Sequence, residues 1–254
     1  MNIEHISISR YGTFKECKQR YKYRYHLKTP STLPEQFYFT YGKIVHKIAE
    51  IYVENRGERV IGEIAQDILR GKIEIEPGKV APALLPEYSK KLPSHLASIQ
   101  NLTEKIGYDG ELEYMFKYDL DPPKNKFITG VIDRFILKGD KAFIIDYKTT
   151  KKGNWRKNSS NIMYDLQLRT YAKVIQKEHN IKAENIKAAL YYLEGGNLVA
   201  TSFNQTLIDK AEEELHKAYL DIEKSDPDKV YGTTGFHCSR CDYNNICPFY
   251  SIKI

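Results

Sequence analysis

The run Gly130-Val-Ile-Asp133-Arg134-Phe-Ile-Leu-Lys138-Gly139-Asp140-Lys141-Ala-Phe-Ile-Ile-Asp146-Tyr147-Lys148-Thr149 constrains the fold more than any other stretch. Both halves are rich in β-branched and aromatic residues, and Gly at the first position of a two-residue loop signals a tight primed-turn hairpin. With Gly139 and Asp140 as the turn, Lys138 faces Lys141, Leu137 faces Ala142, Phe135 faces Ile144 and Asp133 faces Asp146. Side chains alternate with a period of two, so Lys148 shares a face with Asp146, diagonal to Asp133. Directly opposed residues of an antiparallel pair have Cβ atoms about 5 Å apart, where like charges repel. A cation belongs between these two carboxylates.

Two readings meet that demand. Carboxylates converging beside an ammonium are what a divalent metal needs to bind and to activate water against a phosphodiester. Alternatively, Asp133 pairs with Arg134 or Lys148 on a wet sheet face, the usual fate of strand charges. The Ile, Val and Phe that flank both Asp residues argue against a wet face and favour the metal.

A chain of 254 residues, 41% hydrophobic and 28% charged, can bury a sizeable core and fits a soluble globular protein. No apolar run is long enough to span a bilayer, and Met1-Asn-Ile-Glu-His lacks the basic and apolar regions of a secretory leader, so a cytoplasmic protein without a membrane partner is expected. In that reducing compartment four cysteines read as metal ligands rather than as two disulfides. The net charge of +6 is mild, but cations alternate with rings in two places.

Ser7 or Ser9 can cap a helix running toward Tyr25, and within it Cys17-Lys-Gln-Arg20-Tyr21-Lys22-Tyr23-Arg24 combines phosphate-binding cations with stacking rings. The same pattern fits a helix whose Tyr residues pack inward. From Phe37 to about Arg56, Tyr41, Val45, Ile48 and Tyr52 recur at helical spacing, with His46 on the neighbouring stripe as a core residue or a ligand. A helix over Glu58–Arg70 stops at Gly71; Pro77, Pro82, Pro86 and Pro93 then mark an irregular stretch before a short helix near Ser94–Ile106. A strand carrying Glu111 and Glu113 on one face leads into the hairpin. After it, Lys151, Lys152, Trp155 and Arg156 make a basic loop suited to guiding a nucleic-acid strand. A helix over about 161–179 sets Gln167 and Tyr171 one turn apart, two strands join across Gly195-Gly196-Asn197, and an acidic amphipathic helix covers 207–224. Cys238, Cys241 and Cys247 cannot fill a four-coordinate site alone, and only Cys17 remains to complete it. Four thiolates suit zinc or an iron–sulfur cluster equally, and either would clasp the two ends of the chain.

Taken together, Gly42-Lys-Ile-Val-His46, Gly130-Val-Ile-Asp133-Arg134, Ile145-Asp146-Tyr147-Lys148-Thr149, Gln167-Leu-Arg-Thr-Tyr171 and the four cysteines, in this order across nearly the whole chain, resemble the RecB-like branch of the PD-(D/E)XK nuclease superfamily. They resemble in particular its iron–sulfur members, among them CRISPR-adaptation nucleases and the nuclease domains of recombination helicase–nucleases. The resemblance implies an α/β restriction-endonuclease-like core with a mixed β-sheet flanked by helices. It divides residues 1–254 into a cysteine clasp (1–30 with 228–254), a helical insertion carrying His46 (31–107) and a catalytic core (108–227). It makes His46, Asp133, Asp146 and the Tyr147 carbonyl ligands for Mg²⁺ or Mn²⁺, with Glu113 a less uniform acidic position. Lys148 would orient or activate water, Gln167 and Tyr171 would line the site, and the cysteines would hold [4Fe-4S] rather than Zn²⁺. The implied activity is single-strand DNA exonuclease with some endonuclease action, any unwinding coming from a helicase or a recombination or CRISPR-type partner. The rival reading is a non-catalytic DNA-end-binding or assembly subunit; the oligomeric state is left open.

Overall fold

A computed structural model describes residues 1, 3–32, 37–75, 80, 82–121, 125–150, 153 and 156–250, with backbone alone at 37–39. Lys151, Lys152 and Trp155 of the basic loop lie outside the described residues.

The hairpin forms in the register its turn predicts. Strands β3 (Lys126–Lys138) and β4 (Lys141–Lys148) pair antiparallel, with Lys138 opposite Lys141, Phe135 opposite Ile144 and Arg134 opposite Ile145. Gly139 takes φ +60°, a conformation that glycine adopts without penalty. Strands β1 (His5–Ile6), β2 (Glu111–Asp121), β5 (Ile186–Tyr192) and β6 (Asn197–Ser202) extend this pair into a six-stranded sheet in the order β1-β3-β4-β5-β6, with β2 also on β3. The sheet is mixed: β1 with β3 and β4 with β5 run parallel, while β3 with β4 and β5 with β6 run antiparallel. Central β4 is buried through Ile144–Tyr147, as a strand covered on both faces must be. The class is therefore α/β, a mixed sheet flanked by helices.

The helices are α1 (Ile8–Glu16), α2 (Lys18–Tyr21), α3 (Phe37–Glu54), α4 (Ile61–Leu69), α5 (Leu85–Ile106), α6 (Leu166–His179) and α7 (Gln205–Lys224). Among the described residues no helix is long and apolar enough to cross a membrane. Two expectations are corrected. The N-terminal helix is not continuous: Ser7 caps it by accepting from the Arg10 N–H, but Cys17 is extended at φ −159°, ψ 112° and divides α1 from α2. The stretch expected to be irregular up to Ser94 is helical from Leu85, where α5 already starts, while Pro77 lies outside the described residues. Pro86 sits in its first turn, where the missing N–H is unneeded, and the helix runs on through Pro93.

The residues group into two compact units, 1–34 with 115–130 and 209–254, and 35–114 with 131–208. In the second, Tyr41, Ile44, Val45 and Ile48 of α3, Ile64 and Ile68 of α4, and Tyr88, Leu92 and Ile99 of α5 form one core with Ile145, Tyr147, Tyr191 and Leu193 of the sheet. In the first, Phe14 and Tyr21 pack edge to face at 5.3 Å, and the Tyr219 hydroxyl donates to the Ile3 carbonyl at 2.5 Å.

Candidate active site

The stripe Tyr41, Val45, Ile48 and Tyr52 is buried as its spacing predicts, and it fixes the rotation of α3. His46 is thereby turned to the end of the sheet, where its Nε2–H donates to the Tyr147 carbonyl at 3.2 Å. Its other nitrogen, Nδ1, faces two carboxylates: Asp133 Oδ1 at 3.4 Å and Glu113 Oε1 at 3.7 Å. Ligand atoms of His46, Glu113 and Asp133 all lie within 4.8 Å of one another. Asp133 is pinned from β4, its Oδ2 accepting the Tyr147 N–H at 2.7 Å. Tyr147 thus anchors both His46 and Asp133 through its backbone.

Asp146 belongs to the same buried cluster but not to that trio. Its carboxylate sits 2.5 Å from the Lys148 ammonium. Lys148 in turn donates to Gln167 Oε1 at 3.0 Å, and Gln167 Nε2 donates to the Tyr171 hydroxyl at 2.6 Å. The last two residues stand one turn apart on α6, which starts where the Asp165 side chain accepts the Leu168 N–H. Pairing of Asp133 with Arg134 does not occur, because Arg134 donates to the carbonyls of Gly107 and Asp109.

The electrostatics follow from three carboxylates sharing little water. Burial, then the charge of Asp133, push the Asp146 carboxyl up to about 7 against the pull of Lys148. For Asp133 burial also pushes upward, but His46, Lys148 and the Tyr147 N–H outweigh it and hold the carboxyl below its ordinary range. Burial pulls His46 and Lys148 down; the carboxylates around them prevail, holding both cations well protonated. Burial and the nearby Asp146 keep the Tyr171 phenol neutral far above its usual range.

The sequence profile of the PD-(D/E)XK nuclease superfamily matches residues 5–248. The chain belongs to that superfamily. A presumed exonuclease from Eubacterium rectale, seen in a crystal structure, shares 14% identity and a TM-score of 0.55 over 95% of this chain and 88% of its own. A protein named SSO0001 aligns at 15% identity over 99% of this chain and 89% of its own, with a TM-score of 0.43. No curated protein matches the chain. Membership makes the protein a hydrolytic nuclease.

Within this PD-(D/E)XK nuclease, Glu113 proves better placed than its sequence signal. Plain alternation along β2 gives no reason to aim it at His46; φ +44° within the strand does so. Such strained backbone in a non-glycine residue occurs where the surroundings impose it.

The nuclease places its expected nucleic-acid contacts differently from their linear pattern. Tyr21 is 1% exposed and packs into the core, so it offers no face to a base. Arg20 is an ion-pair residue, 2.7 Å from Glu16 and 3.6 Å from Asp242, and Arg24 lies 3.9 Å from Asp242. The Tyr23 hydroxyl donates to the Ile246 carbonyl, its ring against Tyr243. These residues lace the N-terminal helices to the C-terminal segment. Arg156, expected to meet phosphate, instead clamps its own loop, donating to the carbonyls of Thr150 and Glu194 and covering the Tyr192 ring at 4.6 Å. Cys17, Cys238, Cys241 and Cys247 are all free thiols and line one cavity. The break in the helix at Cys17 and short 3₁₀ turns at Phe236–Arg240 and Asn244–Ile246 bring them there.

Proposed function

We propose that the protein is a Mg²⁺- or Mn²⁺-dependent deoxyribonuclease that degrades single-stranded DNA as an exonuclease, with a [4Fe-4S] cluster held by its four cysteines. The observation that carries the hydrolytic half is the convergence of His46, Glu113 and Asp133 within 4.8 Å, beside the Asp146–Lys148 pair. The donor set fits a hard divalent ion: carboxylate oxygens, the Tyr147 carbonyl and one imidazole, with no thiol among them. When bound, such an ion supplies Lewis acidity and a water of lowered pKa.

The protein's own groups do the rest. To serve as a ligand, His46 would give up its Nδ1 proton. Lys148 stays protonated, so it acts as a fixed positive charge and proton donor at Nζ, aimed by Asp146 and Gln167 toward a phosphate oxygen that gains charge. Tyr171, neutral, holds Gln167 in place. Asp146, with its carboxyl near neutrality, is the group able to take a proton from attacking water.

Single-stranded DNA as substrate draws support from the composition of the loop after Lys148, where Lys151, Lys152 and Trp155 combine cations with an indole. A cluster is favoured over zinc by the resemblance to the iron–sulfur members of the superfamily, and the four thiols that would hold it line one cavity.

The test uses end-labelled single strands, free or blocked at either terminus, with Mn²⁺ or Mg²⁺ and with chelator. Wild type degrades strands from an open end only with a cation, and Asp133→Ala and Lys148→Ala do not. Equal degradation by wild type and both variants discards the proposal. Metal analysis of anaerobically purified protein finds iron for the cluster; zinc alone discards that half.

A further inference from the structure

Among the described residues Arg134 is the largest side chain with 0% exposure. Its Nη2 donates to the carbonyls of Gly107 at 2.6 Å and Asp109 at 2.7 Å, and its charge also acts on the buried Tyr147 phenol. A guanidinium sunk this deep is costly to the fold. Part of that cost is offset at the end of α5, whose C-cap is Gly107 and whose dipole favours a cation there.

What the two carbonyls hold is the short turn from α5 into β2. Directly after it Gly110 has φ +120°, and a Cβ there would lie 2.4 Å from the Phe135 carbonyl oxygen. The chain therefore passes against the backbone of β3 one residue beyond Arg134. Three residues on stands Glu113, with its left-handed backbone and a carboxylate 3.7 Å from His46 Nδ1. The other two members of the trio are secured by hydrogen bonds to Tyr147. Glu113 meets the trio through its ion pair with His46 and is aimed there by its backbone.

We propose that Arg134 is a positioning residue for the cation site: by gripping Gly107 and Asp109 it fixes where β2 begins and so delivers Glu113 to His46 and Asp133. Asp133 and Arg134 are adjacent and face opposite sides of β3. One dipeptide thereby supplies one ligand and sets the place of another. This rests on reading His46, Glu113 and Asp133 as a divalent-cation site.

Direct Mn²⁺ titration of the cleavage-independent binding step tests it, with stability followed in parallel. Glu113→Gln and Arg134→Met each weaken Mn²⁺ about tenfold, the lower end of what displaced supporting groups cost. The double variant is no weaker than either single one, because both remove the same ligand. Arg134→Lys, a single point donor, falls between wild type and Arg134→Met. Amide exchange at 110–113 speeds up in Arg134→Met and not in Glu113→Gln. A folded Arg134→Met that binds Mn²⁺ within twofold of wild type, or losses that multiply in the double variant, overturns the proposal. If Arg134→Met does not fold, Arg134→Lys and its double with Glu113→Gln are judged by the same criteria. Weakening by Glu113→Gln without weakening by either Arg134 variant refutes only the positioning role; a wild type that binds no Mn²⁺ refutes the site itself and this inference with it.

Discussion

Cation binding at this site competes with protons, and its pH dependence can be worked from the groups that hold them. In the cation-free protein the Asp146 carboxyl titrates at about 7, and His46 stays protonated well above its ordinary range. An ion ligated by the imidazole and stabilised by ionised carboxylates displaces both protons. Both shifts are upward, so affinity rises with pH. Between pH 6 and 8 Asp146 contributes about one decade as it crosses 7, and His46, raised in the same direction, steepens the rise further. Mn²⁺ affinity should therefore rise by more than about tenfold across that range, more than about 1.4 kcal/mol. Asp146→Asn and His46→Ala should each flatten the slope. Calorimetric titration in buffers of different ionisation heat counts the released protons directly. Without cation the same groups act in the opposite sense. The stability Asp146 contributes is full below its unfolded value near 3.8 and fades as pH rises through 7. An Mn²⁺ affinity flat from pH 6 to 8, or a full slope retained in His46→Ala, would refute the electrostatic account.

Other substitutions probe other parts of the argument. Tyr21→Ala should lower stability by about 3 kcal/mol in urea denaturation and leave Mn²⁺ affinity alone, because the ring is core; an unchanged midpoint would contradict that packing. Gly130→Ala would set a Cβ 2.6 Å from the Phe116 ring, an overpacking cost of about 1–3 kcal/mol read by the same melt. Lys148→Met should slow cleavage at least about a hundredfold while Mn²⁺ binding holds or strengthens, since a buried cation is lost. Loss of Mn²⁺ binding together with cleavage would mean that Lys148 builds the site rather than stabilising charge in it.

Much of the site was legible because it follows from counting. A two-residue turn with Gly first fixes the register of β3 on β4, and the register alone sets Asp133, Asp146 and Lys148 together. Helical spacing likewise rotates His46 toward the sheet end. Glu113 was legible only as an acid in a strand, because its aim depends on a positive φ that no side-chain pattern encodes. The Arg and Tyr of 20–24 misled for a related reason. Alternation of rings and cations describes both a surface that binds nucleic acid and a helix whose rings face inward, and the partner that decides, Asp242, lies at the far end of the chain. The extended residue at Cys17 was hidden too, since local composition favours helix and only the distant thiols give a reason to interrupt it. Pro93 misled in the other direction, a helix breaker overruled by packing on both sides.

The lacing of residue 32 to residue 242, like that of Tyr243 to Thr29, spans more than 200 positions. Cys17 precedes Cys238, Cys241 and Cys247 by more than 200 positions, so the cavity they share forms only after a long stretch of chain has been made. Closure over so long a loop comes late in folding. A chain stopped before residue 238 would thus leave Arg24 without Asp242, Tyr23 without the Ile246 carbonyl and Cys17 without the cavity it shares.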